Sequence, residues 1–138
     1  MMSNLTKYMA TSISILCYHQ VAPQLPPGFE RYSVTTAQFA AQLRWLALAG
    51  YHTISFDQLL AARAGNGSLP AKSVIITFDD GLRDCIHYAP PLLVSYKMTA
   101  TFFLVAGLMG GASAWLAQEQ APVMPIASWQ QARDLLAA

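Results

Sequence analysis

The chain has 138 residues, of which 54% are hydrophobic and 11% are charged, and its formal net charge is +1. This length predicts one domain with enough apolar side chains to bury a core. The charged fraction lies far below the usual value of about a quarter in soluble domains, which predicts poor solubility on its own. Because it has no basic cluster, the sequence lacks the electrostatic footprint of a nucleic-acid-binding protein.

The amino-terminal residues 1–12 lack the basic start, the long apolar run and the small-residue cleavage site of a secretory signal. The apolar stretch 13–17 is far too short to cross a membrane. We therefore expect a cytoplasmic protein as the sequence is written, or one that acts in the periplasm or at the cell surface if translation starts upstream. No membrane span is expected at the uncharged stretch 99–117, because glycines interrupt it.

The first half of the chain alternates predicted strands with predicted helices. The predicted elements are a strand at 13–18, a helix that ends at Gly50, a strand at 51–55 and a helix at 58–63. Capping-box patterns mark the starts of the two helices, at Thr35 with Gln38 and at Ser55 with Gln58. Strands that alternate with helices of this length predict βαβ units around a parallel sheet, with right-handed crossovers.

The central stretch 74–78 is an apolar run rich in β-branched residues, and Asp79, Asp80 and Gly81 follow it directly. Such a run predicts a strand that is buried on both faces, as in a parallel sheet. Polar groups of α/β folds gather at the carboxyl ends of parallel strands. The two carboxylates are therefore expected at a site, and His19, at the end of the first strand, is expected at the same edge.

Two adjacent carboxylates repel each other unless a cation lies between them or one of them holds a proton. A divalent metal meets this need, because one aspartate can bind it while the other takes a proton from water. The structural alternative is a strand-to-helix turn in which Asp80 caps the helix and Gly81 relieves backbone strain. The spacing of these residues leaves both interpretations open.

The second half of the chain begins with a predicted helix at 82–96, which the proline pair 90–91 is expected to kink or divide. A fourth buried strand is expected at 99–105, followed by a mobile loop at 107–114 over the site. A third capping box, at 128–131, predicts a helix that continues to the end of the sequence.

Several polar or reactive residues outside this stretch are interpreted as structural. Cys17 and Cys85 form neither a disulfide scaffold nor a CxxC metal motif, so we interpret both as small apolar residues that could approach each other. Asp84 and His87 are expected on a solvated helix face, together with Arg83, which could also orient a carboxylate. His52 is interpreted as structural.

A series of short motifs resembles the polysaccharide deacetylase family, the NodB-homology carbohydrate esterases. TFDDG resembles the first signature motif of that family, and ILCYH resembles the xLxYH opening strand of one of its branches. The motifs, in matching order and spacing, are ILCYH (15–19), FAAQL (39–43), AGY (49–51), LP (69–70), TFDDG (77–81) and TATFF (99–103). The resemblance implies an α/β fold, the amino-terminal portion of a distorted (β/α) barrel with about four βα units.

The resemblance also implies an activity and roles for three residues. It implies a metal-dependent hydrolase that removes N-acetyl groups from a polysaccharide or oligosaccharide. Asp79 would be the general base, and Asp80 the first ligand of a divalent metal, with zinc as the expected ion. His19 matches a histidine that one branch of the family places beside the active site, which makes it a candidate substrate-binding residue.

The resemblance is incomplete at the metal site. The family supplies two more ligands from an HxxxH motif on a later strand, and this sequence has no such motif. Its histidines are His19, His52 and His87. We therefore expect residues 1–138 to form a partial deacetylase domain that stops before the HxxxH motif, and we expect this chain alone to be inactive or nearly so.

Two other functions stay open. A non-catalytic relative could bind carbohydrate through the groove at the strand ends, with Trp115 as a sugar-stacking side chain, although packing is the other role open to that residue. A (β/α)-barrel glycosidase would need a second catalytic acid, and Glu30 and Glu119 both lie in predicted loops. The glycan, the choice between N- and O-deacetylation and the oligomeric state are left open, although an unfinished sheet would favour association.

Overall fold

The computed structural model describes residues 12–137. The predicted absence of a secretory signal at 1–12 falls, apart from Ser12, outside these residues. The helices and strands are β1 (Ser14–Tyr18), β2 (Gln20–Ala22), β3 (Ser33–Thr35), α1 (Thr36–Leu48), β4 (His52–Thr53), α2 (Phe56–Arg63), β5 (Ser73–Phe78), α3 (Arg83–Ser95), β6 (Thr101–Phe102) and α4 (Trp129–Ala137). No helix among them combines the length and the apolar character that a membrane span requires.

The central strand β5 organises the sheet, and all six of its residues are buried. Val74 pairs with Ser14 of β1 and with Thr53 of β4, so β1 and β4 lie on opposite edges of β5. Phe78 pairs with β1 and with β6. All these pairs are parallel, which confirms the predicted α/β fold around a buried parallel strand. Within the described part of the chain, β1 pairs with β5 alone.

One face of this sheet packs against helices α1 and α3. Alternate residues of β5, ending with Phe78, join an apolar cluster with side chains of both helices. The ring of Phe78 stacks on Phe102 with 4.6 Å between centroids and on Tyr18 at 5.4 Å, and it meets the edge of Phe39 at 5.6 Å. Cys17 and Thr77, at the intervening positions, lie on the other face of the sheet.

The predicted capping boxes are all present. At the start of α1, Thr35 Oγ1 accepts from Gln38 N at 3.1 Å, and Gln38 Oε1 accepts from Thr35 N at 2.8 Å. Ser55 forms the same pair of bonds before α2, and the box at 128–131 does so before α4. Each box satisfies two backbone donors that the first helical turn leaves without intrahelical partners.

The sequence did not predict the short parallel pair β2 and β3. Gln20 pairs with Ser33, and Ala22 pairs with Thr35. All three residues of β2 are buried. Because β2 begins directly after His19, the pairing of β2 with β3 holds the backbone that follows this histidine in place.

The structure departs from two expectations for the second half of the chain. Of the two effects expected from the proline pair, division of α3 does not occur, because only two donors are lost while the buried residues Ala89 and Leu93 hold the helix on either side. The strand expected at 99–105 is only the two residues of β6, both partly exposed, since among the described residues β6 pairs with β5 alone. The loop at 107–114 makes hydrogen bonds, as Ser113 N donates to Met124 O at 2.9 Å, and its mobility stays a prediction.

Candidate active site

Parallel pairing in register brings His19 and the two aspartates to one edge of the sheet. Tyr18 pairs with Phe78 at the ends of β1 and β5. The pairing continues for one more residue, because Asp79 N donates to Tyr18 O at 2.9 Å. The chain therefore presents His19 beside Asp79 and Asp80 at the carboxyl ends of two neighbouring parallel strands, where α/β folds place their sites.

His19 and Asp80 are directly hydrogen-bonded. His19 Nδ1 lies 2.9 Å from Asp80 Oδ2, and the side chains are 33% and 27% exposed. A carboxylate only accepts hydrogen bonds, so Nδ1 carries the proton in this contact. The site is thus open to solvent on one side and fixed by protein contacts on the other.

The turn that carries the aspartates has unusual backbone angles. Asp80 has a φ of 68° and Gly81 a φ of 63°, both in the left-handed region. An aspartate there is strained relative to the ordinary regions, and such strain is concentrated at functional sites. A Cβ at Gly81 would lie 3.3 Å from Leu104 Cδ2, so glycine also permits the close approach of the segment after β6.

Cys17 belongs to the same site, which the sequence analysis missed. Its Sγ donates to Asp79 Oδ2 at 3.4 Å, and its side chain is exposed, so its interpretation as an apolar packing residue was wrong. Desolvation of the sulfur, together with the hydrogen bond and the charge of Asp79, raises the pKa of Cys17, while a hydrogen bond with Thr77 opposes the shift. Ligand atoms of Cys17, His19 and Asp79 all lie within 4.8 Å of one another.

The first turn of α3 braces the segment that carries His19. Cys85 Sγ donates to His19 O at 3.0 Å and accepts from Val21 N at 3.1 Å. Gln20 Nε2 donates to Asp84 Oδ2 at 3.2 Å. Asp84 was expected on a solvated helix face, and this hydrogen bond to a protein side chain was not expected. Burial, opposed by the hydrogen bond from Val21, raises the pKa of Cys85 to about 12. Cys85 is therefore a neutral thiol with a bracing role at ordinary pH.

The two free thiols are expected to differ sharply in reactivity. With iodoacetamide at about pH 8, Cys17 should be modified in the folded chain while the buried Cys85 stays unmodified. Because the pKa of Cys17 is raised, its thiolate fraction is smaller and its alkylation should be slower than in the chain unfolded in urea. Peptide mass spectrometry after timed quenching measures both rates. Modification of Cys85 first, or equal rates for the two thiols, would contradict this arrangement.

The remaining candidate residues lie away from the aspartates. His52 pairs with Ser73 at the start of β5, the opposite end of the strand from Asp79. Trp115 packs against a second apolar cluster, which favours the packing role over sugar stacking. Neither glutamate of the glycosidase alternative lies at a strand end, since they fall in the 3₁₀ helices Glu30–Tyr32 and Ala114–Glu119.

A family model described as polysaccharide deacetylase matches residues 66–137, a stretch that includes β5 and both aspartates. The chain belongs to the polysaccharide deacetylase family. Over 115 residues it is 30% identical to the poly-beta-1,6-N-acetyl-D-glucosamine N-deacetylase of Staphylococcus aureus (strain MSSA476), with 75% of this chain and 39% of that protein covered.

Solved structures of related proteins share the fold of this family member. IcaB from Ammonifex degensii superposes with a TM-score of 0.74 at 30% identity, and the match covers 91% of this chain and 48% of that one. The Streptococcus pyogenes deacetylase PplD gives a TM-score of 0.71 at 26% identity, with 91% and 52% covered. The chain thus spans about half the length of these relatives or less.

The residues of this chain do not assemble the ligand set that the family resemblance implies. Polysaccharide deacetylases depend on a metal, and two of the expected ligands come from an HxxxH motif that residues 1–138 lack. Asp80 instead bonds to His19. The group of potential ligands that the described residues do bring together consists of Cys17, His19 and Asp79.

Proposed function

We propose that this chain supplies the amino-terminal part of a metal-dependent hydrolase that removes N-acetyl groups from a polysaccharide. The observation that carries the proposal is the parallel pairing of β1 with β5, which sets His19 beside Asp79 and Asp80 at one edge of the sheet. Support for the substrate class comes from the Staphylococcus aureus relative, whose name states N-deacetylation of an N-acetylglucosamine polymer.

Asp79 is proposed as the general base. In the reaction, water attacks the carbonyl carbon of the acetamide, and Asp79 takes a proton from that water. The carbon–nitrogen bond then breaks, the proton passes to the departing amine, and acetate and a free amino sugar result. Asp79 Oδ2 accepts a hydrogen bond from the thiol of Cys17, and a carboxylate has further lone pairs with which to take the proton.

Asp80 is proposed as one protein ligand of the metal, and His19 as a residue that contacts the sugar. The 2.9 Å bond between them fixes the orientation of both side chains. With Nδ1 bonded to Asp80, His19 can offer its Nε2 lone pair to a hydroxyl of the substrate. The bound metal would supply Lewis-acid stabilisation of the negative charge that develops on the acetamide oxygen.

The 138-residue chain on its own is expected to release no acetate from N-acetylglucosamine oligomers, even with zinc added. A catalytic zinc site uses about three protein ligands, and Asp80 is the only residue of the implied ligand set that this sequence contains. Acetate measured by an enzymatic assay, against a boiled-protein blank, checks this. Release at the rate of an intact deacetylase would contradict the assignment of the ligands.

The DNA beyond codon 138 tests the proposed function itself. We expect an in-frame HxxxH motif in the next few dozen codons, which would give Asp80 its partner ligands. A stop codon with no such motif would contradict the proposal that this chain is part of a hydrolase with a complete metal site. The protein would then have to be a binding-only relative or one that takes ligands from another subunit.

A further inference from the structure

We propose that Cys17, His19 and Asp79 form a binding site for a thiophilic divalent metal, with zinc as the first candidate, whose ligand set differs from the Asp80 set that the family implies. One ligand atom from each residue lies within 4.8 Å of the other two. Thiolate, imidazole and carboxylate are the three ligand types that zinc takes in proteins. The proposal does not depend on deacetylase activity.

The backbone presents these three side chains together without a long loop. Cys17 lies in β1, and His19 lies in the bend directly after that strand, so only Tyr18 separates the two residues. Asp79 follows β5 at the position that pairing in register sets beside His19. Two adjacent parallel strands therefore hold the backbone of Cys17, His19 and Asp79 close together. Side-chain rotation then brings the ligand atoms to the ion.

The spacing is close to that of a bound zinc ion. Ligand atoms about 2.0–2.3 Å from a tetrahedral zinc are roughly 3.4 Å apart. Cys17 Sγ and Asp79 Oδ2 are already 3.4 Å apart. One ring nitrogen of His19 lies within 4.8 Å of both atoms, so rotation of the His19 side chain must bring Nε2 to the ion. Cys17 and its neighbours are partly open to solvent, so an ion can enter.

Asp80 has a supporting role in this site. Metal-binding histidines almost always donate their other ring N–H to a carboxylate or carbonyl, which fixes the ring and its tautomer. The 2.9 Å contact between His19 Nδ1 and Asp80 Oδ2 has this form, and it leaves Nε2 free to bind the metal. Cys85 adds a brace on the backbone, since its Sγ bonds to His19 O at 3.0 Å.

Metal binding at this site displaces the thiol proton of Cys17, because the thiolate is the ligand, and that proton passes to the buffer. The hydrogen bond from Sγ to Asp79 is replaced by two bonds to the metal. Coordination through one oxygen makes the Asp79 carboxylate a weaker base, because the cation draws charge from it. Zinc held by these residues therefore opposes the proton transfer proposed for Asp79.

Titration of the purified 138-residue chain with Co²⁺ tests the proposal. We expect a sulfur-to-cobalt charge-transfer band in the near ultraviolet and the visible bands of a tetrahedral ion. Cys17→Ser should abolish the charge-transfer band. His19→Gln should weaken Co²⁺ binding at least about 10-fold, because loss of a residue that only supports a metal ligand already lowers metal affinity by about that factor. His87→Gln, on the exposed face of α3, is the matched histidine control and should bind as the unchanged chain does.

Two further results separate this site from the one built on Asp80. Asp80→Asn should keep the charge-transfer band and weaken Co²⁺ binding about 10- to 100-fold. Zinc should slow the alkylation of Cys17 in the unchanged chain, a readout that needs no variant. The proposal is overturned if Co²⁺ binds with no sulfur band, if Cys17→Ser leaves the spectrum intact, or if zinc gives Cys17 no protection.

Discussion

Asp79→Asn should reduce the kcat of acetate release by the full-length gene product about 10²- to 10⁴-fold, the range that general acid–base catalysis contributes. The amide keeps the size of the carboxylate and can still accept a hydrogen bond from the thiol of Cys17, but it cannot take a proton from water. The loss should therefore fall on kcat and leave KM nearly unchanged. Initial rates on N-acetylglucosamine oligomers over a range of substrate concentrations measure both constants.

Asp57→Asn is the matched control for this variant. Asp57 lies in the first turn of α2, and its side chain is exposed. The same change of carboxylate to amide there should leave kcat within about 2-fold of the unchanged enzyme, since exposed sites of this kind tolerate substitution. Equal losses in the two variants, or an Asp79→Asn variant that keeps full kcat, would exclude Asp79 as the base.

Phe78→Ala should lower the free energy of unfolding by about 3–5 kcal/mol, the range for a buried aromatic residue cut back to alanine. The Phe78 side chain is 1% exposed and contacts the rings of Tyr18, Phe39 and Phe102. Its loss leaves a cavity where β1, β5 and β6 meet α1. Urea denaturation followed by circular dichroism measures the change, and a chain that no longer folds at 25 °C agrees with the same expectation.

Phe103→Ala provides the comparison for this loss of stability. Phe103 is 50% exposed, and among residues 12–137 its ring makes a single aromatic contact, with Phe56 at 6.1 Å between centroids. Its truncation should cost about 1 kcal/mol or less, as is usual outside the core. If the two variants lose similar stability, the packing of Phe78 is not the main support of the sheet.

The sequence predicted the parts of the fold that depend on local chemistry. The apolar run before Asp79 predicted a strand buried on both faces, because a parallel sheet covered on both sides has no polar face to alternate with. The capping boxes at Thr35 and Ser55 fixed two helix starts, since the bonds involved span only three residues. Alternation of strands and helices then predicted the parallel sheet.

The sequence could not predict features that depend on contacts distant along the chain. Cys17 has no motif around it, and its place beside Asp79 follows from the exact register of β1 against β5. Period-2 spacing from His19 was the one signal that could have indicated it. The bracing role of Cys85 likewise depends on contacts with residues 19 and 21, which lie far from it in sequence.

The continuity of α3 through its proline pair shows the same limit. Local propensity predicted a kink or a division there, and burial of side chains such as Ala89 and Leu93 prevented the division. In contrast, the roles of His19, Asp79 and Asp80 stay predictions, because their shared position does not by itself show which one binds metal and which one takes a proton. The family resemblance and the local geometry favour different ligand sets, and only binding and rate measurements separate them.

The most direct measurement is acetate release from N-acetylglucosamine oligomers by the product of the whole reading frame, assayed before chelation, after chelation and after zinc is restored. A metal-dependent deacetylase with its site at Asp79 and Asp80 should release acetate, lose that activity with the chelator and regain it with the metal. Release that survives chelation, or no release with zinc present from a folded protein, would contradict the account.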